Sequence, residues 1–179
     1  MERVPFRAAA AGAAYEKIGR LPVAVLLDNV RSMYNVGAFF RTADAAGVER
    51  LYLCGITACP PKRGISKTAL GAEESVAWEH CWDPLEVLRR LRSSGYEIAA
   101  AETSPVAVDL FDWAPAFPVC VVFGHEVSGV RADVAAFCDI HVRIPMLGKK
   151  ESLNVATAGG VILYELLRKY RTMMERTRR

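Results

Sequence analysis

The chain has 179 residues, 52% of them hydrophobic and 24% charged, with a formal net charge of +3. That length and balance fit one globular domain with a sizeable core and exclude a largely disordered chain. So small a net charge also excludes recognition of a polyanion by overall electrostatics alone, and any nucleic-acid partner must be met by local clusters.

The five cysteines, Cys54, Cys59, Cys81, Cys120 and Cys138, are odd in number and include no C-x-x-C pair. They therefore read as free thiols of a reducing cytoplasm rather than a disulfide framework or a structural zinc site. The histidines His80, His125 and His141 are scattered, no H-E-x-x-H pair occurs, and no metal is expected. Arg3, Arg7 and the alanines at 8–10 only faintly echo a signal peptide, and no apolar run approaches the roughly 20 residues of a membrane span.

Residues 1–20 read as a polar, Ala-rich lead-in, an arm or a helix. Val23–Leu27 is a short, continuous apolar run ending at Asp28-Asn29, the signature of a buried parallel strand, and ligand sites in parallel sheets lie at such carboxyl ends. From Asn29 a loop leads into a helix whose Val36, Phe39, Ala43 and Ala46 recur at helical spacing. Gly37 and Arg41 stand one turn apart on it, so a phosphate or a backbone can approach closely beside a guanidinium. The plainer alternative pairs Arg41 with Asp44 or leaves it in solvent.

Leu51–Cys54 reads as a second strand, followed by a turn-rich basic loop with Lys62, Arg63 and Lys67, suited to an RNA backbone or merely solvated. Val76–His80 is a further strand, Pro84–Ser94 a helix with Leu85, Leu88 and Leu91 inward, and Tyr96–Ala100 another strand. Pro118–Phe123 is the most β-like run in the chain and ends in Gly124-His-Glu-Val-Ser-Gly129 before a helix over 130–137. Glu126 there suits either a helix N-terminus or the organisation of a loop.

Asp139–Ile144 alternates polar with apolar residues and leads into Ile144–Leu167, a loop running into a helix that is apolar nearly all round. Ser152 is the expected N-cap, and Gly159 and Gly160 call for a close approach by another helix, from this chain or a second copy. Arg168–Arg179 carries six basic residues against Glu175, a helix end expected to fray into a basic tail. The alternation of strand and helix marks an α/β fold with a mostly parallel sheet flanked by helices.

No G-x-G dinucleotide fingerprint, P-loop or G-x-S-x-G elbow is present. What remains is a triple pattern: N-x-G-x-x-x-R-T at 35–42, F-G-x-E-x-x-G at 123–129, and I-P-M-x-G-x-x-x-S-L-N-V at 144–155. Together and in this order they resemble the motifs of the SpoU/TrmH branch of the SPOUT RNA methyltransferases, over about residues 23–169. The departures are small: His125 fills a variable position, and Ala156 and Thr157 stand where Ser and Val are common.

The resemblance implies a single methyltransferase domain over 1–179 with a C-terminal trefoil knot, which general topology rules would oppose. It also implies S-adenosylmethionine as cofactor, a homodimer, and the 2′-hydroxyl of a tRNA or rRNA ribose as substrate. Carried over by position, Asn35 and Arg41 belong to the catalytic edge, Gly124 and Glu126 to the second loop. Ile144, Pro145, Met146, Ser152, Leu153 and Asn154 fall to the cofactor pocket, with Asn154 also catalytic and Thr103 a further cofactor candidate. Arg41, Lys62, Arg63 and Lys67 would meet RNA. The alternatives are a catalytically silent RNA-binding protein of the same fold and a small-molecule nucleotide enzyme, the latter disfavoured by the missing glycine fingerprints.

Overall fold

Leu21–Asp28 forms β1, buried along nearly its whole length, with Val23, Val25 and Leu27 facing one apolar cluster and Ala24 and Leu26 the other. A strand apolar on both sides needs cover on both, and the sheet around it supplies that. The computed structural model describes residues 12, 15 and 17–177, so most of the N-terminal arm lies outside the described residues.

The remaining strands are β2 (Val48–Cys54), β3 (Trp78–Cys81), β4 (Glu97–Ala101), β5 (Val108–Asp109), β6 (Val119–Phe123) and β7 (Ile140–Arg143). Among the described residues they form one sheet in the order β3-β2-β1-β6-β4-β7-β5, every pairing parallel. Leu27 lies between Leu53 and Phe123 in register, so the carboxyl ends of β1, β2 and β6 share one rim.

Helices α1 (Met33–Ala46), α2 (Arg63–Ala69), α3 (Ala72–Ser75) and α6 (Val155–Thr177) cover one face; α4 (Pro84–Ser93) and α5 (Ala132–Phe137) cover the other. On the first face Phe39 meets Phe123 with ring centroids 4.9 Å apart, both rings almost fully buried. Each buried aromatic of this kind contributes about 1.5–3 kcal/mol.

Several expectations change here. The basic segment after Pro61 is helical over Arg63–Ala69, because its Ile65 and Ala69 bury against α1 while Lys62, Arg63 and Lys67 stay exposed. Gly37 is where the two helices touch: a side chain there would overlap Thr68 and the Ile65 carbonyl, so a backbone and not a phosphate occupies that space. In α4 the inward residues are Val87, Leu88 and Leu91, with Leu85 half-buried. The strand expected over 76–80 is shifted to Trp78–Cys81, and the two-residue β5 carries no sequence signal of its own.

Helix α6 continues to Thr177, so the expected basic tail is helical over 168–177, and its last two residues lie outside the described residues. Gly159 is buried where α6 meets the Phe39 ring of α1, whereas Gly160 opens to empty space. Lys169, its side chain 12% exposed, fixes the far half of α6: its ammonium donates to the carbonyls of Leu110 (2.7 Å), Phe111 (3.2 Å) and Trp113 and lies 3.6 Å from Glu165. Lys169→Met should therefore lower unfolding stability by about 2–3 kcal/mol in chemical denaturation, since charged hydrogen bonds are lost and carbonyls left unpaired.

Candidate active site

The carboxyl ends of β4, β6 and β7 open into a cavity of about 440 Å³, within the usual range for a small-molecule site. Three segments wall it: Ala101–Thr103 at the end of β4, Phe123–Gly129 at the end of β6, and Val142–Ile144 and Met146 with Glu151–Val155 at and beyond the end of β7. Ala158 and Ile162 of α6 close the apolar side.

The loop after β6 is a narrow hairpin. His125 and Gly129 exchange backbone hydrogen bonds at 3.0 and 2.9 Å, and Gly124 lies against Gly129 and Val130 so closely that a Cβ would overlap their backbone. At the tip, the His125 Nδ1 accepts from the N–H groups of Val127 (3.1 Å) and Ser128 (3.3 Å).

Glu126 ties this tip to the start of α1. Its carboxylate accepts from the N–H groups of Arg31 (3.1 Å) and Ser32 (3.0 Å) and from the Asn35 amide (3.0 Å). Ser32 in turn caps α1 by accepting from the Asn35 N–H. Asn35 then accepts from the Asn154 amide at 3.2 Å, across 119 residues of chain. Asn154 spends its own oxygen on the N–H groups of Ala156 (3.0 Å) and Thr157 (3.2 Å). Asn154, not Ser152, is thus the cap of α6, which starts at Val155.

Burial pushes the Glu126 carboxyl up, but the N–H donors of Ser32 and Arg31 and the Asn35 amide outweigh it and hold it below the ordinary carboxylate value. A carboxylate lowered in the folded state stabilises fully above its unfolded pKa of about 4.3 and loses that contribution as pH falls through the depressed folded value. Glu126→Gln should therefore flatten the acid limb of a stability-against-pH curve below about pH 4.3 and leave its neutral shape unchanged.

Of the residues singled out by sequence, Thr103, Gly124, Glu126, Ile144, Met146, Ser152, Leu153 and Asn154 line the cavity, and Asn35 is joined to it through Glu126 and Asn154. Pro145 does not line it. Arg41 stands exposed on α1, outside this cavity, and Asp44, its expected partner, instead accepts from the Ser75 hydroxyl at 2.6 Å. Asn154 orients Asn35. Sequence reasoning missed Glu102, which accepts from the N–H groups of Thr103 (2.8 Å) and Val130 (2.9 Å) and joins the end of β4 to the neck of the hairpin. Its place at a strand's carboxyl end, beside Thr103, was the available signal.

A parallel sheet with helices on both faces, glycine-marked loops and a cavity at the strand ends defines an α/β protein whose candidate site is built from the second half of the chain. The profile of the SpoU rRNA Methylase family matches residues 22–164, and the chain belongs to that family. The 23S rRNA (guanosine-2'-O-)-methyltransferase RlmB of Vibrio parahaemolyticus is 32% identical over 147 residues, 82% of this chain and 59% of that protein. This chain spans about three fifths of the length of the curated relatives it matches.

Among solved structures, the TrmH/SpoU tRNA modifying enzyme of A. aeolicus superposes with a TM-score of 0.79 at 30% identity, covering 89% of this chain and 82% of that one. The AdoMet-bound rRNA methyltransferase of Sinorhizobium meliloti superposes with a TM-score of 0.77 at 30% identity, covering 82% and 56%. No helix among the described residues is long and apolar enough to cross a membrane.

Proposed function

We propose that the chain is an S-adenosylmethionine-dependent methyltransferase that acts in the cytoplasm on a ribose 2′-hydroxyl of tRNA or rRNA. One observation carries the reading: the second and third motif segments wall one cavity, and the Glu126–Asn35–Asn154 chain of hydrogen bonds ties the first motif to both. The cavity suits the cofactor. Phe123, Val155, Ala158 and Ile162 offer an apolar wall to an adenine, the loops offer main-chain groups to its edge, and Glu151 adds a negative charge to the lining, which suits a cationic ligand.

When bound, S-adenosylmethionine supplies an electrophilic methyl group on a sulfonium. The protein's share is to align the ribose with it and to stabilise the oxygen as its proton leaves. Arg41 is always protonated, so its part is to clamp a neighbouring phosphate and offset developing alkoxide charge rather than to accept the proton. Lys62 at the cap of α2 and Arg63 and Lys67 on it, all exposed, add phosphate contacts whose strength should fall steeply with salt.

Because Arg41 lies outside the cavity of its own chain, the reading includes a homodimer in which one copy's Arg41 serves the other's cavity. The exposed Val161, Tyr164 and open Gly160 of α6 offer an apolar face for such pairing. The C-terminal segment is further taken to pass through the chain as the trefoil knot of the family.

The deciding experiment incubates the protein with bulk RNA and S-adenosylmethionine tritiated in its methyl group, then maps any labelled ribose. Label in a 2′-O-methyl nucleotide supports the reading. Cofactor-independent RNA binding without label would replace it with a catalytically silent RNA-binding protein.

A further inference from the structure

We infer that Glu102 is a positioning residue for the cofactor, a latch that holds the Gly124–Gly129 hairpin in its binding shape; this rests on the reading of the cavity as the S-adenosylmethionine site. The hairpin forms a large part of the cavity wall yet is a short excursion with a two-residue neck. Its tip is anchored to α1 by Glu126. Its neck is anchored to β4 by Glu102, whose Oε2 accepts from the Val130 N–H at 2.9 Å.

Both Glu102 oxygens are engaged, the second by the Thr103 N–H at 2.8 Å. Thr103 also lines the cavity, so one carboxylate sets the relative position of two walls that come from separate strands. The Glu102 N–H itself donates to the Val142 carbonyl at 3.1 Å, which places the third wall against the same residue. Gly129, at φ +70°, allows the carboxylate in: a side chain at that position would strike the Glu102 oxygens.

A carboxylate has two acceptor oxygens and no donor, whereas a glutamine amide has one acceptor and would turn a second N–H group toward an N–H. Glu102→Gln must therefore release either Val130 or Thr103. Asp, one methylene shorter, reaches one of the two. The latch works by removing the ordering cost of the hairpin before the ligand arrives.

The test measures S-adenosylmethionine binding by calorimetry on the full chain and on Glu102→Gln and Glu102→Asp, with steady-state kinetics and amide hydrogen exchange alongside. Affinity should fall about tenfold in Glu102→Gln and by a similar factor in Glu102→Asp, the cost of one unpaired donor in each. KM for the cofactor should rise in step while kcat at saturation holds, and exchange should quicken at 124–130 but not in β6. Unchanged affinity in both variants overturns the latch and leaves the enzymatic reading intact. Faster exchange throughout the sheet overturns it as well, because the role would then be general stability. A wild-type chain that does not bind S-adenosylmethionine overturns the reading of the cavity and the latch with it.

Discussion

Replacing Arg41 with alanine is expected to reduce methyl transfer to RNA by at least about a hundredfold, the scale at which loss of one charge-stabilising donor acts on a transition state. S-adenosylmethionine should bind as before. The separation follows from geometry: Arg41 is exposed on α1 and does not line the cavity, so nothing the ligand touches in its own chain is removed. Calorimetry that shows cofactor affinity falling as far as the rate would take Arg41 out of the catalytic role. The same variant tests the dimer. Mixed with Asn154→Ala, which damages the cavity but keeps Arg41, it should recover activity, because a mixed pair holds one intact arginine opposite one intact cavity. If both variants are inactive and their mixture stays so while the subunits demonstrably exchange, Arg41 does not act across copies.

Gly124→Ala should cost about a hundredfold in cofactor affinity and lower the melting temperature. Gly124 follows the buried Phe123 and lies against backbone, the Gly129 carbonyl and the Val130 nitrogen, which cannot rotate aside as a side chain would. An added methyl group must open the neck. That breaks the His125–Gly129 pair and the Glu102–Val130 bond, three hydrogen bonds at about 1 kcal/mol each. Gly148 is the control, since a Cβ there meets nothing within 4 Å. Binding should survive Gly148→Ala, and equal damage from both substitutions would show that the hairpin neck has no special part.

The strands β1 and β6 and the helices α1 and α6 were legible because their signals are local: unbroken apolar runs and 3.6-residue periodicity. Helix α2 was not. Pro60, Pro61 and Gly64 dominate a reading by composition, and what holds the segment helical is Ile65 buried against α1 beside Gly37, a contact 28 residues distant in sequence. Strand order was likewise out of reach, since β1 pairs with β6 over an interval that no local pattern measures. In the site, the motif residues pointed to the right loops. Ser152 and Asn154 are both good capping residues two positions apart, and only the bonds from Ala156 and Thr157 to Asn154 distinguish them. Glu102 follows a run of alanines with no partner spacing to mark it, and only its position against Val130 distinguishes it.

The hydrogen bonds that close the cavity join residues 91 and 119 positions apart. Contacts so distant carry a large loop-closure cost that must be met before they reward the chain, which places their formation late in folding. A nascent or half-assembled chain thus has no place for its ligand. Once the last helix has docked, any small molecule held there binds the finished state alone and shifts the unfolding equilibrium by mass action. Recovery from denaturant should accordingly yield more active protein when the ligand is in excess, while the earliest kinetic phase keeps the same rate with or without it.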